Sequence, residues 1–177
     1  IVNYAYSVQP IRMSDRGILS QYLLAFAYVY YPFTLGYWTN PVPAPYPWLL
    51  AFGIYLAFVA RLLLKDLRDV KGDKQHGKLT FVLRHGVRKT CVASALFWVA
   101  AVVIVMHAAT YSPGLSIVLI VGLCQAIYLL FSIATSHTPQ SHERIVALVA
   151  KTANSTLLTI LTYLLVLHHG GLTSIEQ

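Results

Sequence analysis

Three stretches of this chain carry no Asp, Glu, Lys or Arg: Gly17 to Ala60, Thr90 to His142 and Thr152 to Ile175. Crossing a bilayer takes about 20 mostly apolar residues, so these runs hold roughly two, two and one helices. The pattern predicts helices at 18–37, 48–64, 90–108, 115–135 and 145–168. The segments between them carry breakers. Thr39 to Pro47 has four prolines in nine residues, which rules out a continuous helix there. Tyr111-Ser-Pro-Gly114 reads as a turn, and Ser136 to His142 as a short polar loop. Trp38, Tyr46, Trp48 and Tyr111 fall near span ends, where amphipathic rings favour the headgroup level. Five spans alternate the faces, and all 13 Lys and Arg residues then fall on one side. The positive-inside rule makes that side cytoplasmic, together with the charged segment 61–89.

Composition supports the membrane reading. Apolar residues make up 57% and charged residues 11%, against roughly 45–50% and about 25% in soluble domains. The expected fold class is all-α, a polytopic transmembrane bundle forming a single domain over 1–177. The net charge of +7 sits beside apolar spans, so lipid and phosphate explain it better than nucleic acid. Cys91 and Cys124 lie in apolar segments and read as core residues, not a disulfide or a metal pair. The histidines lack ligand-type spacing. The first Met is Met13 and no leader pattern precedes it. The expectation is a carboxyl-terminal part of a longer protein, starting inside a loop.

The chemistry is concentrated in Arg61 to Arg88, RLLLKDLRDVKGDKQHGKLTFVLRHGVR. If the helix ending near Leu64 runs on for two turns, Asp66, Asp69 and Asp73 follow i, i+3, i+7 and share one face. Such like-charge neighbours cost stability unless something positive sits between them. Arg61, Lys65 and Arg68 occupy an adjacent face. A loop that only fixed topology would gain nothing from stacked carboxylates. Gly72 and Gly77 let backbone approach a ligand closely. Magnesium takes a carboxylate or two plus phosphate oxygens, so carboxylates interleaved with cations at a membrane surface suit a lipid diphosphate. The other reading is a solvated basic loop that only anchors anionic lipid.

This segment resembles the second aspartate-rich motif of the UbiA superfamily of intramembrane prenyltransferases, roughly K-D-x-x-D-x-x-G-D-x-x-x-G-K-x-T. Lys65, Asp66, Asp69, Gly72, Asp73, Gly77, Lys78 and Thr80 match it. Tyr6-Ser-Val-Gln-Pro10-Ile-Arg12 also resembles the family's Tyr-Ser-x-x-Pro-x-(Arg/Lys) loop, about 60 residues upstream. The resemblance implies prenyl transfer from a polyprenyl diphosphate to an acceptor within the membrane, an aromatic ring, a quinone precursor or another lipid-soluble molecule. It implies Mg²⁺ held by Asp66, Asp69 and Asp73, with Lys65, Arg68, Lys78 and Arg12 toward the diphosphate. Tyr6 faces the reaction centre. The departing carbocation needs a dry, aromatic-lined site, which 12 Tyr and 7 Phe could supply; Tyr28, Tyr30 and Tyr31 read rather as packing between helices or sitting at an interface. Lys151 and Asn154 are either functional groups or, for Lys151, a snorkelling side chain.

The departures are specific. The family's first aspartate motif has no counterpart here, and the five spans correspond to the last five of a nine-helix fold. Ser14 and Asp15 stand where many members have a basic residue, and Leu79 replaces a common arginine. The fragment alone is therefore expected to be inactive, and an inactive relative is the alternative. A CDP-alcohol phosphotransferase is excluded because the chain has no Asp-Gly dipeptide.

Overall fold

The computed structural model describes residues 13–39, 48–108 and 113–135, with single positions between 144 and 162. Among the described residues every regular element is helical and none is a strand. Following a 3₁₀ turn at Met13–Asp15, α1 runs over Ile18–Ala25. It passes through a π turn at Phe26–Tyr30 into α2, Tyr31–Thr39. The π turn has an evident cause in Pro32, which cannot donate to the helical ladder and crowds the preceding turn. One wider turn just before it, closed by the Tyr31 N–H on the Phe26 carbonyl, absorbs that conflict.

The hairpin of α3 (Trp48–Gln75) and α4 (Phe81–Ala108) forms the centre of the described structure, with α5 (Pro113–Thr135) against α4. Both hairpin arms are long and apolar enough to cross a membrane. The arms approach closely because small residues face each other. A Cβ on Gly53 would lie 2.5 Å from Val105 Cγ2. Ser94, fully buried, donates to the Ala60 carbonyl at 2.9 Å. Leu64, Leu67, Val82, Cys91, Leu130 and Ile133 join α3, α4 and α5, while Leu24, Ala25, Val59 and Leu62 join α1 to α3.

One sequence expectation changes. The segment 61–89 is not a loop: α3 continues to Gln75 and α4 begins at Phe81, leaving only 76–80 between them. The charged run keeps an apolar stripe, Leu63, Leu67 and Val70, at helical spacing. Leu67 is buried, so packing carries the helix past its hydrophobic end. At 28 residues, or about 42 Å, α3 outruns a hydrocarbon core of about 30 Å. Its last turns, beyond Leu64, form a polar extension. Gly86, at φ 80° and ψ 167°, breaks α4 near its start. Pro113 opens α5 two residues before the expected start, at a position that suits its fixed φ. Most of the expected fifth span lies outside the described residues; within it Lys151 is helical and exposed.

Candidate functional site

The polar end of α3 is closed by a Schellman motif. Gly77, at φ 63°, takes the left-handed position that ends many helices. The Lys78 N–H bonds the Asp73 carbonyl at 2.9 Å, and the Gly77 N–H bonds the Lys74 carbonyl at 3.3 Å. Caps of this type bring the residue two past the helix end against the last turn, commonly through a hydrophobic contact. Here the contact is ionic: Lys78 Nζ lies 3.0 Å from Asp73 Oδ1. Asp73 is itself buried.

From the other side α1 supplies Gln21, fully enclosed at 2% exposure. Its Nε2 donates to Asp66 Oδ2 at 2.6 Å. Arg84 ties the same end together, with Nη2 on the Asp15 carbonyl at 2.6 Å and Nε on the Leu79 carbonyl at 3.1 Å. The turn before α1, the turn after α3 and the start of α4 are thus held at one place. Two buried polar atoms there have no hydrogen-bond partner among the described residues: Gln21 Oε1 and Thr80 Oγ1. Thr80 stands just before α4, where such a hydroxyl ordinarily caps the first turn.

The three aspartates meet different surroundings. Burial, reinforced by the negative charge of Asp73, pushes the Asp66 carboxyl up to about 7; Asp69 adds to this, while Lys65 and Lys78 oppose it. Asp69 is instead half-exposed, with Oδ1 3.0 Å from Arg68 Nε. The continuous helix does carry all three on one side, but their side chains part company. Among the described residues no group of three His, Cys, Asp or Glu side chains could hold a metal ion by itself. The donors do suit a hard cation that brings phosphate oxygens with it, because magnesium needs only one or two carboxylates in that case. Asp66 is the telling group: an acid raised by burial and by neighbouring anions is one that a cation would return to its charged form. Asp66 and Asp73 therefore fit such an ion, and Asp69 would first exchange Arg68 for it.

The remaining residues singled out by sequence divide clearly. Lys65 and Arg68 are exposed on the polar extension of α3, and Lys78 is half-buried on Asp73. Gly72 is exposed with open space around it. Tyr6 and Arg12 lie outside the described residues, as does Asn154. Tyr28 and Tyr31 are exposed, whereas Tyr30 packs edge-on to Tyr55 at 6.2 Å. Tyr55 also stacks on Tyr22 at 6.4 Å, and Tyr22 meets Phe97 edge-on at 5.9 Å. This aromatic cluster adjoins Gln21 in sequence. Sequence reasoning missed Gln21, Tyr22 and Tyr55. The signal available for Gln21 was an amide in a charge-free run, where a polar side chain needs a partner from another helix.

Known proteins resemble this chain. A digeranylgeranylglyceryl phosphate synthase of Methanoregula boonei is 48% identical over 50 residues, covering 27% of this chain and 18% of the relative. The corresponding synthase of Methanothermobacter thermautotrophicus is 33% identical over 81 residues, 46% of this chain and 25% of the relative. The matched stretches thus span a quarter or less of these curated relatives. No solved structure matches. The model of the UbiA prenyltransferase family matches residues 1–155. With its helices, its aspartate-bearing helix end and a family match over most of its length, this chain belongs to the UbiA prenyltransferase family.

Proposed function

We propose that this chain forms the diphosphate-gripping part of a multi-pass membrane prenyltransferase, with the polar end of α3 on the cytoplasmic side. The substrate is a polyprenyl diphosphate, and the acceptor is a lipid-soluble molecule. The names of the two relatives favour a glyceryl phosphate lipid among the aromatic and lipid-soluble acceptors considered from sequence. The observation that carries the reading is the meeting of Gln21, Asp66, Asp73 and Lys78 at the end of a helix long enough to span a bilayer.

Breaking an allylic C–O bond leaves charge on the departing diphosphate. Lys78, beside Asp73, is held where it can share that charge, and Lys65 and Arg68 extend the positive field along α3. Asp66 and Asp73 are the groups that would hold Mg²⁺, which when bound neutralises diphosphate charge. Asp69 joins them on releasing Arg68. The rings of Tyr22, Tyr55 and Phe97 pack against one another between α1, α3 and α4, and on this reading they would line the apolar side of the cavity, where π faces favour a carbocation. Arg12 and Tyr6, by the family resemblance, would complete the set.

The test is Mg²⁺-dependent pyrophosphate release from a polyprenyl diphosphate by the intact protein in detergent. Replacing both Asp66→Asn and Asp69→Asn is expected to lower turnover by about 10²–10³-fold, the scale seen when a charge-stabilising group is lost. Undiminished turnover would reject the reading. Loss of vesicle binding alone, with no Mg²⁺-dependent turnover in the unaltered protein, would instead favour a lipid anchor.

A further inference from the structure

Gln21, 2% exposed, is among the most deeply buried polar side chains at the polar end of α3. Among the described residues its side chain makes a single hydrogen bond of the several a primary amide allows. Nε2 donates to Asp66 Oδ2 at 2.6 Å, while Oε1 is buried with no donor among the described residues. In a resting protein an unpartnered buried carbonyl is destabilising. A purely structural role would be filled as well by an apolar side chain of the same length. The placement favours a different role. The bond to Oδ2 fixes the rotation of the Asp66 carboxylate and leaves the other oxygen uncommitted. The amide carbonyl is held a few ångströms from that carboxylate, on the same α1 side chain.

We propose that Gln21 is a positioning residue for the diphosphate site: it orients Asp66 toward a divalent cation and accepts a hydrogen bond from a water carried by that cation. This inference rests on the diphosphate-transfer reading above and deepens it. Ligating carboxylates are ordinarily hydrogen-bonded in turn, and removing such a partner weakens metal binding by about 10–100-fold. Asp66 has one candidate for that partner among the described residues, and it comes from a different helix. Gln21 therefore also couples the position of α1, and the loop preceding it, to the state of the carboxylate. Ion binding should draw α1 and α3 together at this end without any change in the apolar middle of the hairpin.

The experiment measures Mn²⁺ affinity in the presence of inorganic pyrophosphate, by electron paramagnetic resonance of free and bound Mn²⁺, on the intact protein in detergent. Gln21→Met keeps the volume and removes both donor and acceptor. The expected result is Mn²⁺ binding weakened by about tenfold or more, with the metal-free melting temperature nearly unchanged because the orphan carbonyl disappears along with the bond. Unchanged Mn²⁺ affinity, with or without a lower melting temperature, overturns the inference and leaves Gln21 a packing residue. Should Gln21→Met fail to fold, Gln21→Asn decides. It keeps the amide but is one methylene too short to reach Asp66, so a comparable loss of affinity is expected and parity with the unaltered protein overturns the proposal. If the unaltered protein binds no Mn²⁺ with pyrophosphate, the transfer reading itself falls and this inference with it. Normal binding by the unaltered protein and by Gln21→Met alike defeats the inference alone.

Discussion

The two ends of the contact between α3 and α4 are built on different physics. In the apolar middle, Gly53 lies against Val105, Ala101 and Ile104, and Ser94 bonds the backbone of Ala60. Shape decides that region: small residues let two backbones approach, and dispersion and one buried hydroxyl hold them. At the polar end, directed bonds pair Gln21 with Asp66, Lys78 with Asp73 and Arg84 with the Asp15 carbonyl. Charge decides that region, and it leaves an acid raised by its own surroundings together with two unpartnered polar atoms. The middle is closed by packing alone; on the function proposed above, the polar end is where a ligand would bind.

The largest effect that would test this contrast comes from filling the middle. Gly53→Leu places atoms where Val105 and the Ala101 carbonyl already are. Overpacking of this kind should lower stability by about 3 kcal/mol. Thermal unfolding in detergent would show the loss, and it should be the same at pH 5 and pH 8. A pH-dependent loss would mean that the two regions are not separate.

Titration of the polar end comes next. Asp66 is raised from the ordinary carboxylate range to about 7. Its protonated form therefore supports the folded state fully below about pH 4, and that support is lost as pH rises through about 7. Between pH 5 and 7 the metal-free protein should lose on the order of 2 kcal/mol from this group. Asp66→Asn should flatten that slope, because the Gln21 amide can still donate to the asparagine oxygen. An equally steep slope in the variant would assign the titration elsewhere.

The smallest effect belongs to the outer side of the same helix. Asp69 meets Arg68 in a half-exposed pair, with side chains 38% and 57% accessible. Exposed pairs contribute about 0–1 kcal/mol. Asp69→Asn should leave metal-free stability within about 0.5 kcal/mol of the unaltered protein, while Asp66→Asn shifts it with pH. Equal behaviour of the two variants would erase the distinction between the inner and outer carboxylates.

Much of this was legible in the chain. Charge-free runs marked the helices, the family pattern marked Asp66, Asp73, Gly77 and Lys78, and family membership follows over residues 1–155. Less legible was the length of α3. A run of Lys, Arg and Asp reads as a solvated loop unless the stripe through Leu67 is seen to be buried, and burial is a property of the neighbours. The π turn before Pro32 was equally hidden, since it resolves a local conflict that most helices avoid by ending.

Sequence by itself determined which residues could carry the chemistry, because residue types, their spacing and the apolar runs are local facts. Only the tertiary structure decided how three similar aspartates differ. A carboxylate's charge depends on what surrounds it: burial and the negative charge of Asp73 raise Asp66, and an amide 45 residues away in the chain donates to it. The same holds for the turn at Gly77, where the cap is local but the burial of Asp73 that gives it consequence comes from the packed helices around it.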